Sequence, residues 1–365
     1  MNQKTPWRIG LYVDRPDWIL GTIASQTMQL HGGTGRFSFY MSSWSQIMRA
    51  PISEIKSLQS CDLIHWITYD YLDLLALFPS VRHICTIHHV MDNDDILPDK
   101  FKDFTLLTVS QNSRKKMEER GFVNIEIVRN GVDPDLFVPM DAIKCREHLA
   151  MSSSRPLVGF FGKGSSNPMD RKGTEVLIEA LKRVNRQVPV ALLLSGKGWD
   201  ALERNLTTDG IEVFYRPVKS INEMPWLYGA IDVYVCTSWV EGGPVPVLEA
   251  MSCGRPVIST PVGHVPEVAR DGENSLLVPI YGAQATAAAI IKVLKDSSLA
   301  RQLGSSARET IIKGWTWEAV LAPLGKIYEQ VMLVPGDKKS SKGVMKTWAR
   351  TLARSFYHRF YTRKV

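Results

Sequence analysis

Apolar runs of about five to eight residues alternate with longer helical patterns through the first half of the chain. The runs that we interpret as strands are RIGLYVD (8–14), FSFYMSS (37–43), DLIHWITY (62–69), HICTIHH (83–89), LLTVS (106–110) and IEIVRN (125–130). Helical patterns such as TIASQTMQL and SRKKMEERG lie between several of them. This alternation indicates βα units, in which a parallel sheet is covered by helices on both faces.

A second series of the same kind follows a looser segment, residues 133–156, in which Pro, Asp and Ser interrupt the pattern. The strand-like runs of this series are LVGFFG (157–162), VALLLSG (190–196), IEVFYR (211–216), IDVYVCTS (231–238) and RPVISTP (255–261). The sequence therefore predicts an α/β protein with two Rossmann-like domains, residues 1–150 and 151–334. We expect the domains to face a cleft bordered by strand carboxyl ends and helix N-termini.

The composition of the 365-residue chain, with 44% hydrophobic and 22% charged residues, is typical of an ordinary globular protein. No stretch approaches the roughly 18 to 20 apolar residues that span a bilayer, and the first residues contain no apolar signal core. The five cysteines are scattered and form no CxxC pair, so we expect reduced thiols and neither disulfides nor zinc. These features predict a cytoplasmic location.

The net charge of +7 is concentrated in the last 31 residues, 335–365, where nine Lys or Arg and one Asp give +8. Within residues 344–364, basic side chains recur at four-residue steps beside an offset stripe of aromatic and apolar ones. This pattern predicts a basic amphipathic tail helix on an anionic membrane surface. Packing of the tail on its own protein remains an alternative, and we expect no nucleic-acid partner.

The segment EGGPVPVLEAM, residues 241–251, places two glutamates around a region of glycine and proline. Pro244 and Pro246 exclude a helix interior but suit a helix start, so Glu241 should lie on a loop and Glu249 in or just after the first helical turn. Spacing alone leaves several readings open: a catalytic acid pair, a metal site, a sugar contact, or a helix start with a solvated loop acid. For a metal site, the nearby chain offers only His264 as a further ligand.

The longer segment EGGPVPVLEAMSCGRPVISTPVGHVPEV resembles the signature of the family 4 retaining glycosyltransferases, which have the GT-B fold and a Glu-x7-Glu motif. Further similar segments occur in the family order. They are IVRNGVDPDLFVP, LVGFFGKG, DRKGTEVLIEAL, DGENSLLVP and GWTWEAVLAPLGKIYEQV. The resemblance covers roughly residues 8 to 332 and is closest in the second domain. It implies a nucleotide-diphosphate sugar as the donor substrate and no metal or other cofactor.

The resemblance also implies roles for individual residues. Glu249 would bind the ribose, Glu241 the transferred sugar, and the basic residues Lys163 and Lys172 the leaving diphosphate, with Arg171 able to share that role. The positions whose backbone would approach the donor are Gly242, Gly243, Pro244 and Val245. Such cations are needed because the diphosphate gains charge as the glycosidic bond breaks.

Some positions depart from the family pattern. Lys163 stands where Arg is usual, and Gly243-Pro244 stands where Phe-Gly is usual. His264 stands in the family's Gly-Gly-x-Pro-Glu segment. These departures leave the donor sugar open, and Lys163 and Lys172 could instead be solvated loop cations.

In the first domain, Gly21 is what remains of the family's diphosphate-contacting Gly-Gly loop. His88 follows the fourth strand, where the family commonly has a cleft histidine, and we assign it to the donor sugar or an acceptor hydroxyl. Candidate acceptor or sugar contacts are His89, Trp18 and Asp14. A hydrogen-bonded structural role is the alternative for the histidines, and burial is the alternative for the aromatic ring.

Together these observations predict a retaining, metal-independent hexosyltransferase that acts on a glycan or lipid-linked acceptor, in cell-surface polysaccharide or glycolipid synthesis. We expect a cytoplasmic protein that can lie peripherally on the inner face of the cell membrane. Two alternatives remain: a nucleotide-sugar epimerase of the same fold, and a catalytically silent scaffold subunit that binds sugar nucleotides.

Overall fold

The computed structural model describes residues 5–68, 74–90, 101, 104–162, 171–199, 207, 210–218 and 220–334. Within them the chain forms two units, each built on one parallel sheet. In the first sheet the strands lie in the order β2-β1-β3-β4-β5-β6. Their bounds are β1 Trp7–Val13, β2 Phe37–Ser43, β3 Leu63–Trp66, β4 Arg82–Ile87, β5 Thr105–Thr108 and β6 Ile125–Ile127.

The central strands of this first sheet are buried on both faces. All four residues of β3 are buried, and its neighbours β1 and β4 run parallel to it, with Ile9 opposite Leu63 and Leu63 opposite Arg82. Helices cover the sheet because continuous apolar strands need apolar partners on each side. The helices in this part of the chain are α1 Ile19–Gly32, α2 Trp44–Arg49, α3 Pro51–Gln59 and α4 Gln111–Glu119.

The second sheet has the strand order β12-β11-β10-β7-β8-β9. Its strands are β7 Leu157–Phe161, β8 Ala191–Ser195, β9 Glu212–Tyr215, β10 Val233–Cys236, β11 Val257–Ser259 and β12 Leu276–Leu277. Chain order reverses at β7, where the next strand in sequence lies on one side and β10 on the other. Ligands of open α/β sheets bind beyond the strand carboxyl ends at such a reversal.

Amphipathic helices cover this second sheet. On α6, the residues that face the core recur with helical spacing and are Val176, Leu177, Ala180, Leu181 and Val184. The helices from residue 142 onwards are α5 Ala142–His148, α6 Thr174–Asn185, α7 Met224–Ala230, α8 Val245–Ser252, α9 Val265–Val268, α10 Ala283–Lys295, α11 Ser297–Gly314 and α12 Trp317–Leu333.

The division between the units falls at Val128, whereas the loosened sequence pattern places it near residue 150. Residues 129–150 pack with the second unit: the Val132 N–H donates to the Trp315 carbonyl at 3.0 Å, and Arg146 pairs with Asp232 at 2.7 Å. The loss of the regular hydrophobic pattern shows where the first sheet ends. The contacts of the irregular segment, residues 129–150, determine to which unit that segment belongs.

The described residues 321–334 belong to the first unit. Tyr328 on α12 is fully buried, and its hydroxyl lies 2.8 Å from His65 Nδ1. The Tyr328 ring also packs edge-on against Phe37 at 5.7 Å between centroids. The last described helix therefore completes the core of the first unit, which the sequence pattern did not indicate.

Two parallel sheets, each flanked by helices, confirm the predicted α/β architecture of two Rossmann-like units. The predicted tail, residues 335–365, lies outside the described residues. None of the described helices combines the length and the apolar character that crossing a membrane requires.

Candidate active site

The carboxyl end of β10 leads directly into the glutamate-containing segment. Beyond Cys236, the residues Thr237 and Ser238 are buried, and the loop that follows ends at α8. Pro244 immediately precedes this helix and Pro246 lies in its first turn, as the sequence predicts. Glu241 therefore lies on the loop, and Glu249 lies just after the first helical turn.

Glu241 is held by two cationic side chains and one hydroxyl. Lys172 Nζ donates to Glu241 Oε1 at 2.7 Å, and Ser238 Oγ donates to the same oxygen at 3.1 Å. Arg171 Nη1 lies 3.7 Å from Oε2. The Glu241 side chain is only 9% exposed and that of Lys172 16%, whereas that of Arg171 is 42% exposed. A largely buried carboxylate thus has one mostly buried and one accessible cation beside it.

This charge arrangement keeps Glu241 ionised. Burial on its own raises the pKa of the Glu241 carboxyl, but the charges of Lys172 and Arg171 and the hydrogen bonds from Lys172 and Ser238 outweigh it. The net result is a pKa below the ordinary value. Glu241 is therefore a carboxylate at neutral pH, able to accept hydrogen bonds from sugar hydroxyls.

The backbone at Lys172 is fixed by the end of β10. Thr237 Oγ1 lies 3.0 Å from both the Lys172 and Gly173 carbonyls, and the Trp239 N–H donates to the Arg171 carbonyl at 2.8 Å. Gly173 has φ +67°, and an added Cβ would lie 2.1 Å from the Thr237 carbonyl oxygen. Only glycine fits there, so the Lys-Gly pair positions the ammonium at the carboxyl edge of the sheet.

Glu249 has a different environment, with no cation among its described contacts. It is buried on α8, and the Tyr228 hydroxyl donates to its Oε2 at 2.6 Å. Burial raises the pKa of the Glu249 carboxyl to about 7, and the Tyr228 hydrogen bond offsets only part of that effect. The two glutamates therefore have separate partners and opposite pKa shifts.

The loop between the glutamates packs tightly against a second loop. Asn130 Nδ2 donates to the Gly243 carbonyl at 3.0 Å. An added Cβ at Gly243 would lie 2.7 Å from His264 Nδ1, and one at Gly263 would lie 2.3 Å from the Gly242 carbonyl oxygen. These close approaches fix the backbone of Gly242 and Gly243 just before the helix N-terminus at Val245, a place that suits a phosphate.

His264 is fully buried in this arrangement. Burial and the charge of Arg129 lower the pKa of His264 to about 3, and the opposing effects of Glu241 and the Pro244 backbone offset only part of the shift. The ring is therefore neutral, and it packs edge-on against Trp315 at 5.3 Å. A packed, neutral imidazole therefore supports the loop between the two glutamates. Among the described residues, no three His, Cys, Asp or Glu side chains cluster as a metal site.

Replacing Gly243 by Ala should destabilise the second unit by about 1 to 3 kcal/mol, because the methyl group would overlap His264 and Asn130, which pack closely against this loop. Gly314→Ala is the matched control, since nothing lies within 4 Å of an added Cβ there and the residue ends a helix. The control should be neutral or slightly stabilising. Urea unfolding of both variants measures the difference, and equal stability would show that the Gly243–His264 packing is not tight.

The predicted residues of the first unit lie near strand and helix ends. His88 Nε2 donates to the Ile67 carbonyl at 2.9 Å, which fixes the ring. Gly21 is buried in α1, where the Pro16 carbonyl oxygen would lie 2.0 Å from an added Cβ.

Trp18 is 41% exposed beneath the Arg15 guanidinium, and Asp14 accepts the Arg15 N–H at 2.6 Å. His89 is half-buried. The functional assignments of these residues stay predictions, and Lys163 lies outside the described residues.

Sequence reasoning missed two residues that shape the site, Tyr228 and Asn130, and it did not indicate the packing role of His264. Asn130 lies within the IVRNGVDPDLFVP segment, so the family resemblance was the signal that could have found it. Tyr228 gave no signal, because a buried tyrosine in a helical pattern is an ordinary core residue.

The second unit matches a known family. Residues 155–296 match the family model described as "Glycosyl transferases group 1". The chain is 27% identical to N-acetyl-alpha-D-glucosaminyl L-malate synthase of Bacillus anthracis, over 60% of this chain and 56% of that protein. It is 31% identical to a GDP-mannose-dependent alpha-(1-6)-phosphatidylinositol monomannoside mannosyltransferase of Mycolicibacterium smegmatis, over 56% of each chain. The alignments thus span about half the length of these curated relatives.

The fold has a solved counterpart in the Anabaena protein HepE, crystallised in complex with UDP-glucose. The two chains superpose with a TM-score of 0.70 at 19% identity, over 88% of this chain and 99% of HepE. The fold of two parallel sheets with flanking helices is therefore GT-B, as predicted. Residues 155–296, which include the carboxylate loop at the carboxyl edge of the second sheet, are therefore similar to the group 1 glycosyltransferases.

Proposed function

We propose that the protein transfers a sugar from a nucleotide-diphosphate sugar to a glycan or lipid-linked acceptor, in polysaccharide or glycolipid synthesis. The observation that carries this proposal is the Glu241–Lys172–Arg171 cluster at the carboxyl edge of the second sheet, on the loop that leads into α8. A relative named for GDP-mannose and a structural counterpart bound to UDP-glucose support a nucleotide-sugar donor.

In the proposed reaction, the bond between the anomeric carbon and the diphosphate oxygen breaks, and the electron pair leaves on the phosphate. The acceptor oxygen bonds to the anomeric carbon on the same face, and its proton passes to the leaving phosphate oxygen. Lys172, Arg171 and Lys163 stabilise the charge that develops on the diphosphate. This mechanism retains the anomeric configuration and employs fixed cations in place of a metal ion.

In this proposal, each glutamate binds a different part of the donor. Glu241 accepts hydrogen bonds from the sugar hydroxyls, and Glu249 accepts them from the ribose. The backbone from Gly242 to Val245 lies along the diphosphate side of the donor, where the helix N-terminus adds partial positive charge. In the first unit, His88 contacts the donor sugar or the acceptor hydroxyl, and His89, Trp18 and Asp14 contact the acceptor.

The test is a product analysis with UDP- and GDP-sugars, with and without a panel of glycan and lipid-linked acceptors, in the presence of EDTA. The expected result is acceptor-dependent release of nucleoside diphosphate, with a product whose anomeric configuration by NMR equals that of the donor. Epimerised donor without transfer would support the epimerase alternative, which the relatives do not support. Nucleotide binding with neither hydrolysis nor transfer would support a silent scaffold subunit instead.

We further propose that residues 344–364 bind an anionic membrane surface, which would place the enzyme peripherally on the cytoplasmic face of the membrane. Each basic residue near such a surface contributes roughly 1 kcal/mol. A chain ending at Val334 should therefore sediment far less with phosphatidylserine-containing vesicles than the full chain.

A second variant separates the effect of charge from the effect of chain length. It is the full chain with Lys346, Arg350 and Arg354 replaced by Gln, which removes three positive charges but keeps the length. It should lose most of the binding, and binding of the unmodified chain should fall with added salt. Undiminished sedimentation of the shortened chain would contradict the membrane proposal.

A further inference from the structure

Glu249 and the helix before β10 are joined by one short hydrogen bond. Tyr228, on α7, is fully buried and donates its hydroxyl proton to Glu249 Oε2 at 2.6 Å. The two residues are 21 positions apart in the chain, so this contact is made by the tertiary fold. A hydrogen bond of this length to an ionised acceptor belongs to the stronger class of protein hydrogen bonds.

The phenol ring has little freedom to move. It packs edge-on against Phe161 at 4.9 Å and Phe137 at 5.9 Å between centroids, and it lies 5.9 Å from the Tyr234 ring. The next residue, Gly229, packs so closely that an added Cβ would overlap Cys145 Sγ. The Tyr228 hydroxyl is therefore a fixed point, set by side chains from β7, β10 and the segment before α5.

A carboxylate that binds a ribose must present its oxygens to two neighbouring hydroxyls. With Oε2 accepting from Tyr228, the plane of the Glu249 carboxylate is set and Oε1 has a defined direction. Without that bond, the carboxylate could rotate about its last single bond, and ordering it would weaken ligand binding.

We propose that Tyr228 is a positioning residue for the nucleotide, which orients the Glu249 carboxylate toward the ribose of the donor. The inference rests on the proposed function, in which Glu249 contacts the ribose. In this role Tyr228 touches no substrate but sets the affinity of the enzyme for the nucleoside part of the donor.

The hydrogen bond also affects which form of Glu249 is present. Burial raises its pKa to about 7, and the Tyr228 bond lowers it. Within the part of the chain that the structure describes, the titratable groups that interact with Glu249 are the phenols of Tyr228 and Tyr234 and the thiol of Cys253. Burial raises the pKa of each, so these three groups are uncharged at neutral pH. None of them carries a positive charge that would stabilise the ionised form of Glu249. Removing the Tyr228 hydroxyl should therefore move the Glu249 pKa further upward.

The test compares Tyr228→Phe with Tyr234→Phe, which removes a hydroxyl from the same aromatic cluster. Calorimetric titration with UDP and GDP between pH 5.5 and 9 gives the dissociation constants. For the nucleotide that the unmodified protein binds, Tyr228→Phe should weaken binding about tenfold or more. The pH at which affinity is half-maximal should shift upward, and Tyr234→Phe should show neither change. If the phenylalanine variant does not fold, Tyr228→Met offers a similar volume without the hydroxyl.

A double-variant comparison separates positioning from a structural role. In a Glu249→Ala background, Tyr228→Phe should cause no further loss of affinity, because its effect acts through the carboxylate. An additional loss there, or unchanged affinity and pH dependence in the single variant, would overturn the inference. If Glu249→Ala weakens binding but Tyr228→Phe does not, the inference fails alone. If the unmodified protein binds no nucleotide, the proposed function fails as well.

Discussion

Lys172→Met should lower kcat/KM for sugar transfer by about 10² to 10³, the effect typical of removing one charge-stabilising group from a reacting centre. Methionine keeps much of the length of the side chain but removes the ammonium that bonds Glu241 at 2.7 Å. The loss should appear mainly in kcat, because the leaving diphosphate gains charge in the transition state. Steady-state kinetics with saturating donor measures it.

The same substitution should also destabilise the fold, since it leaves the Glu241 carboxylate buried without its nearest cation. Breaking a buried pair in this way costs about 3 to 5 kcal/mol, less here because Arg171 remains 3.7 Å away. In the unmodified protein the Glu241 pKa is lowered, so its contribution to stability is present above pH 4.5 and lost as pH falls further. In Lys172→Met, the burial effect should raise that pKa.

Pairing Lys172→Met with Glu241→Gln distinguishes the two effects. The double variant contains no buried charge at this point, so its stability by urea unfolding should recover toward that of the unmodified protein. Its transfer activity should stay low, because both the cation and the carboxylate that we propose to bind the sugar are gone. Near-normal activity of Lys172→Met would show that this lysine does not stabilise the leaving group.

Glu249→Gln should stabilise the protein at alkaline pH while weakening nucleotide binding. The Glu249 pKa is raised by burial from 4.5 to about 7, so the neutral acid is favoured in the fold. Its stabilising contribution is complete below pH 4.5 and is lost as pH rises through 7. Above pH 7 the buried charge therefore costs about 3 kcal/mol, which the neutral amide avoids.

Thermal unfolding across pH 4 to 9 measures this difference. The melting temperatures of Glu249→Gln and the unmodified protein should coincide near pH 4, diverge between pH 4.5 and 7, and remain apart above pH 7. Glu179→Gln is the control, because Glu179 is about half exposed in a surface pair with Arg183 and should show no such divergence. A constant difference in melting temperature at all pH values would mean that burial does not destabilise the ionised form of Glu249. A residue in the candidate active site that destabilises the fold, as Glu249 does above pH 7, is typical of a residue kept for its function.

The order of strands and helices was predictable because the apolar runs at the centre of both sheets are buried on two faces. Strand β7 is one such run, and its five residues are all buried. By contrast, β12 has two residues, Leu276 and Leu277, which is too short for any period to be visible. Its pairing with β11 depends on contacts that appear only when the sheet forms.

The placement of Glu241 and Glu249 also followed from local rules, since prolines fix where a helix can begin. What local rules could not give was the set of partners. The Lys172–Glu241 ion pair spans 69 positions and the Tyr228–Glu249 bond spans 21, and both depend on packing between distant segments. The pKa shifts of the two glutamates follow from those partners and from burial, so they too lay beyond the sequence.

A calorimetric titration of the unmodified protein and Glu249→Ala with UDP and GDP at pH 8 tests the proposed donor site most directly. We expect the unmodified protein to bind at least one of the two nucleotides, and Glu249→Ala to bind it at least tenfold more weakly because the ribose hydroxyls lose their proposed acceptor. Equal affinity of the two proteins, or no binding of either nucleotide to the unmodified protein, would contradict it.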